Sequence, residues 1–162
     1  MKQHLGYLFK AFVLVVVQAN LPGIISIRGI TPDLLLIFIV YLVVKEGRLY
    51  ALPWGFFLGL VLDLTTGTVI GLSALSKTVA AFTAGYFYSE NKIAMSLGTY
   101  RFLLFVLLTA FVHNAVYFAV FTLGSNIGFF GAVFGVGLAS ALFTTTIAVL
   151  PMLVSARRRY AP

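Results

Sequence analysis

The sequence predicts an all-α integral membrane protein with six transmembrane helices. Hydrophobic residues make up 61% of the 162 residues and charged residues only 9%, whereas soluble domains carry about 25% charged residues. A chain with so few charges does not cover a soluble globular surface. The hydrophobic residues also form long continuous blocks, which favour membrane helices over the short alternating strands of a transmembrane barrel.

Six apolar blocks predict the helices, and short loops join them into a single membrane domain, 1–162. The blocks cover 5–26, 32–45, 50–66, 69–88, 102–123 and 127–154. The second and third are shorter than the roughly 20 residues of a straight span, so their helices are expected to extend into turns or to end against protein. Asn20, Pro22 and Gly23 predict that the first helix ends near Gln18.

The lysines and arginines predict that both termini are cytoplasmic. With six spans, the other side of the membrane receives only Arg28, and basic residues near spans favour the cytoplasm. The basic residues assigned to the side of the termini are Lys2, Lys10, Lys45, Arg48, Lys92, Arg101, Arg157, Arg158 and Arg159. The net charge of +7 therefore indicates topology and contact with anionic lipid headgroups, and not a nucleic-acid surface.

Three residues, Thr31, Pro32 and Asp33, predict the N-terminus of the second helix. Threonine is a common N-cap, proline suits the first helical position, and aspartate complements the helix dipole. Helix initiation alone explains this motif.

Asp63 is a lone carboxylate in the third apolar block. Gly55, Gly59 and Asp63 recur every four residues and therefore share one helix face, on which the glycines allow a neighbouring helix to approach closely. Three interpretations of the carboxylate stay open. Asp63 bonds the following turn, 65–68, or pairs with another helix or a partner protein, or takes part in a proton or ion relay.

Four further glycines predict close helix packing or a partner interface. Gly67 and Gly71 bracket a tight turn between the third and fourth helices. Gly131 and Gly135 begin a face with four-residue spacing that continues to Ala139 in the sixth block. Small residues at this spacing are typical of helix–helix contacts in membranes.

Lys77, His113 and Asn114 lie inside apolar blocks at similar depths and predict a buried polar cluster. Ionisable residues in membrane helices are costly and therefore mark candidate sites. One interpretation is that the cluster joins helices through hydrogen bonds, and another is that it forms a small-molecule pocket. Lys77 also has the length to reach Asp63 by extending toward the membrane surface.

The sequence contains no recognisable catalytic, cofactor or metal motif. It has no cysteine and four acidic residues in all. It lacks a His-x-x-x-His pair, a phosphate-binding loop and paired intramembrane carboxylates. The chain is therefore predicted not to be an enzyme.

A series of motifs resembles the MreD family of bacterial rod-shape-determining proteins, most densely over 31–86. The series is Val-Val-Val-Gln18, Thr-Pro32-Asp33-Leu-Leu-Leu, Tyr41, Gly55-Phe-Phe-Leu-Gly59-Leu-Val-Leu-Asp63-Leu, Gly67-Thr-Val-Ile-Gly71-Leu-Ser73-Ala-Leu and Ala84-Gly85-Tyr86. The length, the number of blocks and the basic tail agree with the same family.

The resemblance implies a non-enzymatic scaffold of the cell-elongation machinery in the bacterial inner membrane. It implies association with the bitopic protein MreC and, through MreC, with the glycosyltransferase RodA, its transpeptidase partner and the filament of MreB. No cofactor is expected. The implied fold is similar to the substrate-binding subunits of energy-coupling-factor transporters. A small-molecule-binding subunit of a vitamin importer is therefore the alternative function.

Overall fold

The computed structural model describes residues 2–26, 29–87, 97–124 and 128–160, and this part of the chain is helical without a β-strand. The prediction of an all-α protein is therefore confirmed. Six helical blocks follow one another in these described residues. The first five are α1 (Lys2–Ile24), α2 (Leu34–Glu46), α3 (Arg48–Thr66), α4 (Leu72–Ala84) and α5 (Tyr100–Phe121).

The sixth block, α6, consists of four consecutive helical pieces. A short α-helix and a π-helical stretch precede two longer α-helices. The pieces are Phe129–Gly131, the π-helical Ala132–Gly137, Leu138–Ile147 and Val149–Tyr160. Single 3₁₀ turns, Gly85–Phe87 and Thr122–Gly124, extend α4 and α5.

Four of the six helices are long and apolar enough to cross a membrane. They are His4–Ile24, Arg48–Thr66, Tyr100–Phe121 and Phe129–Arg157. The helices α2 and α4 have 13 residues each and are therefore about 20 Å long, less than the hydrocarbon thickness of about 30 Å. The third block, 50–66, is extended on its N-terminal side, because α3 begins at Arg48 and covers 19 residues.

The short helix α2 lies at the centre of the bundle and contacts all five other blocks. Nine of its 13 residues are buried, including Leu35, Ile39 and Val43. A helix that is apolar on every side is a buried helix. Neighbouring helices therefore cover α2, so it does not need to span the lipid by itself.

One side of α1 packs on the bundle and the other is exposed. Tyr7, Ala11, Val15 and Gln18 are buried, whereas Phe9 is 70% exposed. The predicted end near Gln18 is wrong, since α1 continues to Ile24 with Pro22 inside it. Proline removes one backbone donor, and a membrane helix tolerates this when nearby groups satisfy the backbone.

The bundle has two ends, and the start of α1 and the end of α6 lie at the same one. We define the proximal end by Gly47, between α2 and α3, and the distal end by the turn 67–71, between α3 and α4. The start of α1 is proximal, because the Tyr7 hydroxyl donates to Glu46 Oε1 at 2.6 Å. The end of α6 is also proximal, because Ser155 lines the same cavity as Lys45.

Candidate functional site

Asp33 begins α2 and is its N-cap. The carboxylate Oδ1 accepts a hydrogen bond from the Leu36 backbone N–H at 2.9 Å, and the first helical residue is Leu34. The expectation that Thr31 caps the helix and Pro32 opens it is therefore wrong by two residues. The capping side chain belongs to Asp33, whose backbone is extended as an N-cap requires.

The N-terminus of α2 lies inside the bundle, where Lys77 and His113 meet Asp33. The ammonium of Lys77 forms a salt bridge with Asp33 Oδ2, and His113 Nε2 lies 3.4 Å from the same oxygen. Lys77 is five residues into α4 and His113 is eight residues before the end of α5. These positions are about 8 and 12 Å from the distal helix ends. Asp33 is therefore well below the distal surface.

Gln18 of α1 satisfies the backbone just before α2. Its amide nitrogen donates to the Pro32 carbonyl at 3.1 Å, and its amide oxygen accepts from the Leu34 N–H at 2.8 Å. Irregular backbone at membrane depth is tolerated only where protein covers it. Gln18 supplies this cover from a position that is itself buried.

Two hydroxyl groups of α6, on the side opposite Gln18, also satisfy backbone groups just before α2. Thr144 Oγ1 accepts from the Asp33 N–H and Ser140 Oγ donates to the Thr31 carbonyl, both at 3.0 Å. Sequence reasoning missed Gln18, Ser140 and Thr144 as members of the site. The available signal was that each is a polar residue in an otherwise apolar helix.

Asn114 does not join the Lys77–Asp33–His113 contacts. Its side-chain amide donates to the Gly137 carbonyl at 2.8 Å and so binds α5 to the π-helical piece of α6. A Cβ on Gly137 would lie 3.2 Å from the Asn114 Cβ, which shows how closely the two helices approach. The predicted three-residue cluster is thus divided between an ion pair and a separate interhelical hydrogen bond.

The ion-pair cluster leaves two buried polar atoms of α5 without a partner among the described residues. They are His113 Nδ1 and Thr109 Oγ1, one helical turn apart. Within the same part of the chain, no three His, Asp or Glu side chains form a metal-ligand set. The cluster joins α2, α4 and α5, and Thr144 adds α6.

Asp63 is completely buried and bonds the turn that follows it. Its two oxygens accept from the Gly71, Ser73 and Ala74 N–H groups at 3.0 to 3.4 Å, and from the Thr68 hydroxyl at 3.1 Å. This is the geometry of the first interpretation, in which the carboxylate ties the turn. A carboxylate at a helix N-terminus also complements the dipole of α4.

Gly67 and Gly71 form the turn that brings α4 back against α3. Their φ angles are +67° and +94°, in the left-handed region that a residue with a Cβ rarely adopts. A Cβ at either position would contact nothing within 4 Å. Turn conformation, and not helix packing, therefore explains these two glycines.

Gly55 and Gly59 lie where α3 packs on α4. A Cβ on Gly59 would be 2.5 Å from the Ala74 Cα, and one on Gly55 would be 2.9 Å from the Lys77 carbonyl oxygen. Both distances are shorter than the contacts that real Cβ atoms make with non-bonded atoms. The glycines therefore set the separation of the two helices and the position of Lys77.

Gly131 and Gly135 lie on the outside of the bundle. A Cβ at either position would meet nothing within 4 Å. Phe130 and Phe134 beside them are 73% and 58% exposed, and their rings stack with centroids 6.5 Å apart. This surface, which we call the α6 glycine face, does not pack against another helix of the described chain.

Comparison with known proteins identifies one family. No curated protein and no solved structure matches the chain significantly. The family described as rod shape-determining protein MreD matches residues 3–154, almost the whole chain. This family is one of membrane proteins for shape determination and is not a known enzyme family. The chain therefore belongs to the MreD family of rod shape-determining proteins.

Proposed function

We propose that the protein is a non-enzymatic inner-membrane scaffold that binds the transmembrane helix of MreC through the α6 glycine face. Membership of the MreD family assigns the chain a role in rod shape. Through MreC, the scaffold would connect to RodA, its transpeptidase partner and MreB, and so organise peptidoglycan synthesis during elongation.

The observation that carries the proposal is the outward position of Gly131 and Gly135. Glycines four residues apart let two membrane helices approach closely, and here nothing in the described chain uses this property. The flanking rings of Phe130 and Phe134 are exposed and supply apolar contact area. A single transmembrane helix is a partner of the right shape and chemistry.

The proposed orientation places the proximal end in the cytoplasm. Lys10, Lys45, Arg48, Arg101 and Arg157 all belong to the proximal parts of their helices, and an excess of basic residues is typical of the cytoplasmic side. Both termini would then be cytoplasmic. Arg28 and Lys92, which entered the same prediction, lie outside the described residues.

The contacts of the polar cluster favour the scaffold over an importer subunit. The importer hypothesis assigns Lys77, His113 and Asn114 to a ligand. Instead, Lys77 and His113 contact Asp33, and Asn114 donates to the Gly137 carbonyl. These bonds use the polar groups to hold helices together, which is the role that a rigid scaffold needs.

The test is affinity purification of the full chain from native bacterial membranes, with mass spectrometry of both proteins and small molecules. The wild type is expected to retain MreC and no metabolite. A double variant, Gly131→Leu and Gly135→Leu, is expected to recover at least about tenfold less MreC, since central interface positions are worth roughly 2 kcal/mol or more. Gly6→Leu is the matched control, because Gly6 is also a helical glycine with open space around it.

Each result bears on a separate part of the proposal. Equal recovery of MreC by the double variant and the wild type would exclude the α6 glycine face as the contact. Loss of MreC in Gly6→Leu as well would indicate a general effect of added leucine. A retained metabolite together with ATP-driven transporter subunits would favour the importer.

A further inference from the structure

An apolar groove opens between the first and last helices at the proximal end. It has a volume of about 750 Å³, its floor is α2, and its walls come from α1 and α6. Leu14, Ile37, Phe38, Leu150 and Val154 are among the apolar residues that line it. Its volume lies within the roughly 300–1,000 Å³ that is usual for ligand sites. We call it the proximal groove.

Two lysines line the proximal groove at one end. Lys45 Nζ lies 5.2 Å, and Lys10 Nζ 5.9 Å, from the centroid of the same Tyr7 ring. Lys45 donates to the Tyr7 hydroxyl and lies 3.8 Å from Glu46. Lys10 has no salt bridge within the described residues. The end of the groove therefore carries two positive charges and one negative charge.

The length of the groove matches one leaflet of a bilayer. Its lining extends along α2 from Leu34 to Lys45, a rise of about 16 Å at 1.5 Å per residue. Half of a hydrocarbon core of about 30 Å is about 15 Å. A partner helix, about 10 Å wide and about 30 Å long, is too large for this groove. A lipid tail, in contrast, fits its length.

We propose that the proximal groove binds one anionic phospholipid. The phosphate contacts Lys10 and Lys45, and an acyl chain lies along α2 between α1 and α6. The lipid thereby fills the gap between the first and last helices and anchors α1, whose own contacts are limited to one face. This site is separate from the α6 glycine face, so it does not depend on the MreC proposal.

The experiment measures lipid binding to the purified full chain by native mass spectrometry after delipidation. Phosphatidylglycerol and phosphatidylcholine are added back separately to the wild type and to three variants. Lys10→Gln removes a charge from the groove and Leu14→Trp fills it. Arg101→Gln is the control, because Arg101 is an exposed proximal arginine that does not line the groove.

Phosphatidylglycerol is expected to bind more tightly than phosphatidylcholine, and Lys10→Gln to weaken it about fivefold, since a basic residue near anionic lipid is worth roughly 1 kcal/mol. Leu14→Trp should reduce binding of both lipids, and Arg101→Gln should change neither. Equal binding of the two lipids, or equal losses in Lys10→Gln and Arg101→Gln, would overturn the proposal. The proposal would also be overturned if a helix of a partner protein protected Leu14 from chemical labelling and added lipid did not.

Discussion

Two glycine pairs with the same four-residue spacing occupy opposite environments in this protein. Gly55 and Gly59 are buried against α4, whereas Gly131 and Gly135 face outward with open space around them. The first pair determines how the bundle packs, and the second leaves a surface free for another molecule. The spacing indicates that a helix can approach closely, but it does not reveal whether that helix belongs to the same chain.

The surroundings of each pair explain the difference. The turn between α3 and α4 is fixed by Asp63 and two left-handed glycines, so α4 must return along α3. Ala74 then lies directly opposite Gly59. In α6 the corresponding internal contact is made by Gly137, against Asn114, and it leaves Gly131 and Gly135 on another side of the helix.

The largest expected effect on stability is that of Lys77→Met. This variant tests whether the packing of α3 on α4 positions Lys77 for an ion pair inside the bundle. Removal of the lysine leaves the Asp33 carboxylate in the bundle without its cation. Breaking a buried pair typically costs about 3–5 kcal/mol. The free energy of unfolding, measured by denaturation of the purified protein in mixed detergent micelles, should fall by this amount.

The control for this prediction is the double variant Lys77→Met, Asp33→Asn. Asparagine is also a good N-cap, and it removes the unpaired charge while keeping the start of α2. The double variant should therefore recover a large part of the lost stability. If it is no more stable than Lys77→Met, the cost does not come from the uncompensated carboxylate.

The second prediction concerns leucine substitutions at one glycine of each pair, Gly59 and Gly135. Gly59→Leu forces α3 and α4 apart, because even a Cβ would be 2.5 Å from the Ala74 Cα. Overpacking costs about 1–3 kcal/mol or more. Gly135→Leu should not lower the unfolding free energy, because a Cβ there would meet nothing within 4 Å and leucine has a better helix propensity than glycine. Equal losses in the two variants would show that the α6 glycine face packs internally.

The helical class and the family resemblance could be read from the sequence, because continuous hydrophobicity and a series of motifs are strong signals. The contacts at the centre of the bundle could not be read from the sequence. The sequence motif identifies Asp33 only as a helix-start residue, although Lys77 and His113 contact it. Sequence position places Asp33 near the end of a span, and only the packing of five helices around the short α2 carries it inside.

The third prediction concerns Asp63, which holds the distal turn of the packed hairpin. Asp63→Asn keeps an acceptor oxygen but loses the charge and part of the set of hydrogen bonds from Gly71, Ser73 and Thr68. Charge-assisted hydrogen bonds each contribute about 1.5–3 kcal/mol. With partial retention, we expect a loss of about 1–2 kcal/mol in the same denaturation assay. Asp63→Leu should cost more, since it leaves buried N–H groups unpaired.

The smallest expected effect is that of alanine, which should change stability with opposite signs at the two glycine pairs. Gly55→Ala places a methyl group 2.9 Å from the Lys77 carbonyl oxygen, so α4 must shift, at a cost of roughly 1 kcal/mol. Gly131 has helical angles, φ −63° and ψ −41°, and open space, so Gly131→Ala should gain up to about 1 kcal/mol from the better helix propensity of alanine. Thermal unfolding of both variants in one detergent measures the two signs. A loss at Gly131 would mean that a neighbouring segment of this chain approaches the α6 glycine face. In that case, Gly131→Leu should not reduce the amount of MreC that copurifies with the protein.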